Sequence, residues 1–441
     1  MGMAIYGCFG RSDPGIVHEI GFRLTHRGEY ERISTPTPGV HIGARGSRSS
    51  FAAHGAGSIP LVFSGSISNR CELAALMSET AENTEYADRR LLWNLYRQFG
   101  PAGFERVNGS YAIALVDVQS RTLVLAVDRW SAQPLHFAAV DGGWIFASEY
   151  KALVPLLGGH PSIDPCVAAY VAATKYLPPH DTPEPRIKAL GPGEYMRLTA
   201  HAHQIASYQP LRLDVDADAT QERCATELRE RILDAARRLT QAHEVIGVGL
   251  SGGLDSAITL GAVRKVAPHK RIYTYTVSFH THDPVLRKAA QTARCFGAVH
   301  REIIVSPNEL LSMLPELVWR MEDPIAREEM LVYHAVAQHA ARETPIVLYG
   351  QMADVLFAGM PRHVLIKAAS EFGFMRGAIT EFYQYTQKGA QPRSRLGKLL
   401  VRTYFRGRYG APPRVLGAEE AKGDSKDFDW SAAEPLNAAL L

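Results

Sequence analysis

The chain has 441 residues, 46% hydrophobic and 21% charged, which is enough for two or three globular domains with cores of ordinary composition. Its formal net charge of +3 is small for this length and argues against partners such as nucleic acid or an acidic membrane surface. The five cysteines show no CxxC pair or zinc-ligand spacing, the N-terminus lacks the pattern of a signal peptide, and no apolar run is long enough to span a membrane. Together these features predict a cytoplasmic protein with reduced thiols.

Residues 1–205 have the rhythm of an antiparallel sheet protein. Short alternating or β-branched runs are separated by Gly, Asn and Asp turns, as in YAIALVDV, TLVLAV and GWIFASEY. Two helices are predicted among these strands, around 70–79 and over 85–99. The pattern predicts an α+β domain over 1–205 and a charged, small-residue linker over 206–222.

Strands and helices alternate from residue 223 onwards. After a first amphipathic helix, the predicted elements are the strand VIGVGL, a helix at 254–265, the strand RIYTYTVSF, a helix at 284–296, the strand HREIIV, helices at 307–320 and 328–342, and the strand PIVLYG. This alternation predicts an α/β domain with a doubly wound parallel sheet over 223–416, followed by a polar tail over 417–441.

The stretch SGGLDS, residues 251–256, forms the turn between VIGVGL and the next helix, at the carboxyl edge of the predicted sheet, where open α/β sheets bind ligands. Its glycines allow backbone N–H groups to approach a phosphate at the helix N-terminus, and Ser251 and Ser256 can add hydroxyl donors. Asp255 would repel a phosphate unless Mg²⁺ bridges the two. The alternative is that Asp255 only caps the helix.

The motif SGGLDS after a strand resembles the SGGxDS loop of the ATP pyrophosphatase-type enzymes, which include the asparagine synthetases. Neither GxxxxGK[ST] nor GxGxxG occurs at this point. Other segments resemble asparagine synthetases in the same order along the chain: HRGEY (26–30), GSISN (65–69), VNGSYAIALVD (107–117), AVDRWSAQPLHF (126–137), FASEYKAL (146–153), YTVSF (275–279), VLYGQMADVLFAGMPR (347–362), KLLVR (398–402) and APPRV (411–415). The resemblance implies a class II glutamine amidotransferase-like domain with an Ntn-hydrolase-like sandwich, followed by a synthetase domain of the adenine nucleotide α-hydrolase type.

The same resemblance implies the site residues. ATP would be held by Leu250, Ser251, Gly252, Gly253, Leu254, Asp255, Ser256, Val277, Tyr349 and Gly350. Leu250 and Val277 would line the adenine slot, and Gly350 would contact the nucleotide through its backbone. Asp255 and Asp354 would share Mg²⁺ on the pyrophosphate, and Lys398 would complete the catalytic set by neutralising charge on the phosphates. The alternatives are a helix cap for Asp354 and a solvated lysine, near Arg395 and Arg402, for Lys398.

The N-terminal half departs from the amidotransferase pattern at several positions. The nucleophile of such a domain is a cysteine at the mature N-terminus, but Tyr6 stands at that position and Cys8 follows two residues later. The glutamine-holding NGE is replaced by Ser64, Gly65 and Ser66, and Asn83 replaces an aspartate. These losses predict an inactive glutaminase domain retained as a scaffold.

The synthetase half departs where the family has SGEGADE. Gln351 replaces the first glutamate, a base toward the incoming amine, and Val355 replaces the second. Replacement acceptors would be Glu381, Glu328 or Glu329, each of which also fits a solvated helix carboxylate. Asp354 and Lys398 are only 44 positions apart, which predicts a remodelled acceptor pocket. In these departures the chain resembles the β-lactam synthetases and lasso-peptide macrolactam synthetases.

The sequence therefore predicts an AMP-forming, ATP-dependent carbon–nitrogen ligase that adenylates a carboxylate and closes a ring in a peptide or antibiotic-like metabolite. Its partners would be a small-molecule or peptide substrate, including a precursor peptide with its leader-processing protein. Two alternatives stay open: an asparagine synthetase-like enzyme that uses free ammonia or ammonia from glutamine, and a non-catalytic nucleotide-binding scaffold. A homodimer also stays open, with the aromatic cluster EFYQY placed in the core or at the dimer surface.

Overall fold

The computed structural model describes residues 2–11, 13–47, 59–80, 84–174, 176–199, 202–210, 216, 218–322, 329–357, 381, 393–395, 397 and 398. They belong to two compact units, residues 1–350 and 351–441, and each unit is described by itself. The boundaries predicted from the sequence at 205, 222 and 416 stay predictions.

Eleven strands lie in the N-terminal part of the described first unit. They are β1 (Ala4–Phe9), β2 (Tyr30–Thr37), β3 (Val40–Gly46), β4 (Leu61–Ile67), β5 (Gly109–Asp117), β6 (Thr122–Val127), β7 (His136–Val140), β8 (Gly143–Ala147), β9 (Lys188–Ala189), β10 (Glu194–Leu198) and β11 (His203–Ser207). They pair antiparallel in two sheets, with the orders β2-β3-β1-β8-β7-β9 and β11-β10-β6-β5-β4.

The two antiparallel sheets face each other across a shared apolar core. Strand β1 shows the alternation that builds it, because Ile5 and Phe9 point into the core between the sheets while Tyr6 and Cys8 point to the outer face. Helices cover the outer faces: α1 (Gly15–Arg23) packs on the sheet of β1, and α2 (Arg70–Leu76) and α3 (Glu85–Phe99) pack on the other. This layering confirms the predicted α+β sandwich of antiparallel sheets.

The two helices predicted in this part are present as α2 and α3, but two further helices were missed. The described residues also form α1 and α4 (Pro165–Thr174). Gly15 and Gly21 lower the intrinsic helix propensity of α1, which is stabilised by packing Val17 and Ile20 on the sheet. Helix α4 is apolar almost all round, so it lacks the periodic pattern by which helices are recognised.

A parallel sheet follows in the same unit. Its described strands are β12 (Val245–Gly249), β13 (Arg271–Ser278), β14 (Val299–Ile304) and β15 (Val347–Leu348), in the order β14-β13-β12-β15. The connecting helices are α5 (Gln221–Thr240), α6 (Leu254–Val266), α7 (Pro284–Cys295), α8 (Pro307–Met321) and α9 (Glu329–Ala340).

Both faces of the parallel sheet are covered. Ile272 on β13 packs with α6 and α7, whereas its neighbour Tyr273 packs in the cluster that contains α9 and residues of α8. A sheet with helices on both faces confirms the predicted doubly wound α/β architecture. In the part of the chain that the structure describes, no helix is both long enough and apolar enough to cross a membrane.

Candidate active site

The SGGLDS loop lies where the sequence predicted it, between the end of β12 at Gly249 and the start of α6 at Leu254. Gly252 has a φ of 70°, in the left-handed region that favours glycine. A Cβ atom at this residue would lie 3.1 Å from the Cβ of Lys288 and 3.4 Å from the backbone nitrogen of Ala289, both on α7. Backbone conformation and tight packing therefore both require glycine at this position.

Ser256 organises the loop from within. Its buried Oγ donates to the carbonyl of Gly253 at 3.0 Å and accepts from the backbone N–H of Ser251 at 3.2 Å, and the two serine Oγ atoms are 3.1 Å apart. Ser251 is exposed. No described side chain caps α6, whose N-cap is the exposed Gly253, so the first-turn N–H groups can receive an anion. The loop therefore fits a phosphate, and the hydrogen bonds of Ser256 stabilise its conformation.

Asp255 and Gly350 are brought together at the edge formed by β12 and β15. Asp255 is half-buried in the first turn of α6, and its carbonyl accepts from Thr259 Oγ1 at 2.9 Å. A Cβ on Gly350 would lie only 2.8 Å from the carbonyl carbon and oxygen of Asp255. The neighbouring Tyr349 ring packs edge-on against Tyr333, with 5.0 Å between centroids, and burial raises the pKa of Tyr349 to about 12.

The structure does not bring the side chains of Leu250 and Val277 together. Leu250 is 2% exposed and packs in the cluster with α6 and α7. Val277 is half-buried and packs in the cluster on the opposite face, with Tyr275. The two side chains therefore lie on different faces of the sheet, and their role at an adenine slot stays a prediction. Leu254, by contrast, is 75% exposed beside the loop.

Asp354 and Lys398 belong to the second unit. Asp354 is exposed in the first turn of α10 (Ala353–Leu356). Lys398 is also exposed, and its backbone N–H donates to the carbonyl of Ser394 at 3.1 Å. Gln351 and Val355, which flank Asp354 where the family has acids, are exposed.

One feature of the motif was missed in the sequence. Met352 stands where the quoted family motif SGEGADE has its second glycine, and it has a φ of 70°. Aligning the motif letter by letter could have identified it. Met352 therefore has a left-handed backbone conformation, which glycine adopts freely but methionine adopts only with strain.

Other predicted or candidate residues are only partly described. Glu329 is an exposed residue at the start of α9. Asn83, Glu328 and Arg402 lie outside the described residues.

The N-terminal domain carries no accessible nucleophile at the expected position. Cys8 is fully buried in β1, between β3 and β8, and burial raises the pKa of its thiol to about 11. Tyr6 is also fully buried, and its hydroxyl donates to Glu31 Oε1 at 2.5 Å. The hydroxyl of Ser64 donates to the carbonyl of Met3. A buried thiol with a raised pKa is a poor nucleophile.

The buried carboxylate of Glu149, in FASEYKAL, pairs with basic side chains from two motifs. It pairs with His26 Nε2 at 2.9 Å, with Lys151 Nζ at 2.5 Å, and with the guanidinium of Arg27. Burial favours its neutral form, but the charges of Arg27 and Lys151 and the hydrogen bonds from His26 and Lys151 lower the pKa of Glu149 below its ordinary value. The segments HRGEY and FASEYKAL are therefore joined through one carboxylate.

Glu322, at the end of α8, joins the same cluster. Its carboxyl oxygens accept from the backbone N–H groups of Tyr150 at 3.0 Å and Lys151 at 2.8 Å. Lys151 Nζ donates to the carbonyl of Trp319 at 2.9 Å and lies 4.2 Å from the centroid of the Trp319 ring. These contacts link the α+β domain directly to the first helix after β14.

Burial raises the pKa of Glu322 to about 7. The unfolded chain releases this proton near the ordinary pKa of a glutamate, whereas the folded chain keeps it up to about pH 7. As the pH rises between these two values, Glu322 therefore contributes less to the stability of the fold. Its contribution is fully present in acid and is lost toward neutral pH.

The described chain combines an α+β domain with a parallel sheet that carries an SGGxDS loop. Comparison with known families shows which proteins share this combination. The family model for asparagine synthase matches residues 227–430, and the model for the glutamine amidotransferase domain matches residues 42–209. The chain therefore belongs to the asparagine synthetase-like family.

Three named relatives show how far the similarity extends. A Mycobacterium tuberculosis protein, provisionally named a glutamine-hydrolysing asparagine synthetase, is 31% identical over 312 residues, covering 68% of this chain and 47% of the relative. Asparagine synthetase 1 of Bacillus subtilis is 24% identical with the same coverage, and asparagine synthetase B of Escherichia coli is 26% identical, covering 68% and 52%. The chain thus spans about half the length of the relatives it matches.

Proposed function

We propose that this chain is an ATP-dependent, amide-forming ligase of the AMP-releasing type. The observation that carries the proposal is the SGGLDS loop, where a left-handed Gly252, an uncapped start of α6 and a half-buried Asp255 meet at the edge of a parallel sheet. Backbone amides suit a polyphosphate, and a carboxylate beside them suits a cation that bridges to it.

The proposed reaction has two steps. A carboxylate oxygen of the substrate attacks the α-phosphorus of ATP, and the bond from that phosphorus to the pyrophosphate oxygen breaks. An amine then attacks the acyl carbon of the adenylate, the bond to the AMP oxygen breaks, and the amine loses a proton. The loop amides would hold the phosphates, and Lys398 would offset negative charge on them.

Asp255 and Asp354 are the residues proposed to hold Mg²⁺. Both are carboxylates in the first turn of a helix, and oxygen ligands of this kind suit the ion. Bound Mg²⁺ would stabilise charge on the departing pyrophosphate.

We favour an amine on the substrate itself as the nucleophile. Cys8 and Tyr6 are both buried and so are unsuited to cleave glutamine, which argues against an ammonia supply from the described part of the N-terminal domain. Gln351 cannot take a proton from ammonium. The proposed product is therefore a cyclic amide, either a macrolactam of a peptide, with a precursor peptide and its leader-processing protein as partners, or a β-lactam-type ring.

A second candidate is supported by the relatives, whose names describe glutamine-hydrolysing asparagine synthetases. In that case ammonia from solution or from another protein would replace the internal amine. The two candidates share the adenylation step and differ only in the nucleophile.

Pyrophosphate release tests the shared step. The wild type is assayed with MgATP and panels of amino acids and peptides that carry both a carboxylate and an amine, beside Asp255→Asn and Asp354→Asn. We expect each variant to lose about 100-fold or more of the activity. Asp234→Asn is the matched control, because Asp234 pairs with Arg238 on α5, outside the loop, and should retain full activity. Normal release by either aspartate variant would refute the metal-binding role of that residue, and no release by the wild type with any substrate would favour a non-catalytic scaffold.

The nucleophile is tested with the same assay. Release that depends on the bifunctional substrate and does not respond to ammonium supports ring closure, which mass spectrometry would register as the loss of one water from the substrate. Release with aspartate that rises with ammonium would instead establish the asparagine synthetase-like reaction. Glutamate formed from glutamine by the purified chain would overturn the scaffold role of the N-terminal domain.

A further inference from the structure

Glu381 makes two hydrogen bonds to one residue in the second unit. Its Oε2 accepts from the backbone N–H of Ser394 at 2.8 Å and from the Ser394 hydroxyl at 2.7 Å. Both donors converge on the same carboxylate oxygen, so Glu381 holds the backbone and the side chain of Ser394 at once. Glu381 and Ser394 are both half-buried.

Ser394 in turn starts the helical turn that carries Lys398. Its Oγ accepts from the backbone N–H of Gly397 at 2.9 Å, as an N-cap residue does, and its carbonyl accepts from the N–H of Lys398 at 3.1 Å. The Ser394 hydroxyl thus donates to Glu381 and accepts from the turn. The backbone N–H of Lys398 is therefore held one turn after Ser394.

The same contacts make Glu381 a poor proton acceptor. The hydrogen bonds from Ser394 lower the pKa of the Glu381 carboxyl, whereas a general base toward an amine works best when its pKa lies near the operating pH. A carboxyl group with a lowered pKa stays ionised to lower pH, which suits an anchor for Ser394.

We propose that Glu381 is a positioning residue, which holds Ser394 and thereby orients the turn that carries Lys398. This inference rests on the proposed function, because it needs the role given there to Lys398. It assigns Glu381 to the adenylation half of the reaction and leaves proton removal from the amine to another group.

Substitutions at both ends of the contact test the proposal in the pyrophosphate assay. Glu381→Gln keeps an acceptor oxygen and loses basicity, so it should retain activity within about twofold. Glu381→Ala and Ser394→Ala should each lower kcat/KM for ATP by about five- to tenfold, since an N-cap contact of this kind is lost. Ser394→Thr keeps the hydroxyl and should restore activity, and circular dichroism checks that each variant is folded.

Two further readouts separate positioning from catalysis by a base. The double variant Glu381→Ala/Ser394→Ala should lose less activity than the product of the two single losses, because both variants remove the same hydroxyl–carboxylate contact. The pH profile of kcat should be unchanged in Glu381→Gln. Additive losses would overturn the proposal, and so would a Glu381→Gln variant as inactive as Glu381→Ala with the acid limb of its pH profile gone.

Failure of the proposed function would look different. It would appear as a wild type without pyrophosphate release, or as a Lys398→Met variant with full activity. Failure of this inference alone would leave the wild type active and Lys398→Met impaired, with Glu381→Ala at the wild-type level.

Discussion

The contact between Gly350 and Asp255 makes Gly350→Ala the sharpest perturbation of the candidate site. The added methyl would lie 2.8 Å from the backbone carbonyl carbon and oxygen of Asp255 and 3.1 Å from its Cβ. Contacts shorter than 3.0 Å are not tolerated. The added methyl is fixed by the backbone of residue 350, and the Asp255 carbonyl is itself backbone, so neither can turn away as a flexible side chain can.

The expected magnitude follows from the shift that relieves the clash. Bringing the methyl to an ordinary contact of about 3.5 Å requires roughly 0.7 Å of movement, shared between β15 and the start of α6. Overpacking of this kind typically costs about 1–3 kcal/mol, so the ligand-free variant should be destabilised by that amount. The same movement displaces Asp255, and a catalytic group misplaced by about 1 Å can cost about 100-fold in rate.

The assay combines urea unfolding of the ligand-free protein with pyrophosphate release. Gly261→Ala is the matched control, because it adds the same methyl in the middle of α6, where the nearest atoms belong to the Phe296 ring at 3.2 Å, which can adjust. We expect the control to stay stable and active. A Gly350→Ala variant with wild-type stability and activity would refute the close contact between Gly350 and the loop.

Three other predictions concern strain, pH and the buried thiol. Met352→Gly should stabilise the protein by about 0.5–1 kcal/mol in urea unfolding by relieving the left-handed backbone; lower stability would show that the methionine packing matters more. Glu322→Gln should flatten the fall in thermal stability of the wild type between about pH 5 and pH 8, since the raised pKa is the cause; parallel pH profiles would contradict this. Cys8 should resist iodoacetamide in the native protein at pH 8 while the exposed Cys295 reacts, as mass spectrometry can determine; fast labelling of Cys8 would show that β1 opens.

Local sequence signals were sufficient for most of the parallel sheet region. The helix predicted at 254–265 is Leu254–Val266 in the structure, and the helix predicted at 284–296 is Pro284–Cys295. Caps and turn residues mark these ends: Gly253 precedes one helix, and Asp283 caps the other through the N–H of Val285. The position of SGGLDS between a strand and a helix followed from the same signals.

Contacts between residues far apart in the sequence could not be predicted from local sequence signals. Glu322 meets Lys151 across 171 positions, and nothing in either segment alone marks the other as its partner. The family resemblance names both Leu250 and Val277 as adenine-lining residues. The alternation of side chains along strands places the two on opposite faces of the sheet, which the resemblance does not reveal. Helix α1 is stabilised by packing on the sheet beside it, which helix propensity does not reveal.

The fate of ATP tests the central claim most directly. The wild-type enzyme is incubated with MgATP and a substrate whose carboxylate carries a heavy oxygen isotope, and the nucleotide products are identified by mass spectrometry. Adenylation predicts AMP and pyrophosphate, with one labelled oxygen transferred from the carboxylate to the AMP. Formation of ADP and inorganic phosphate, or AMP without the label, would contradict adenylation at the SGGLDS loop.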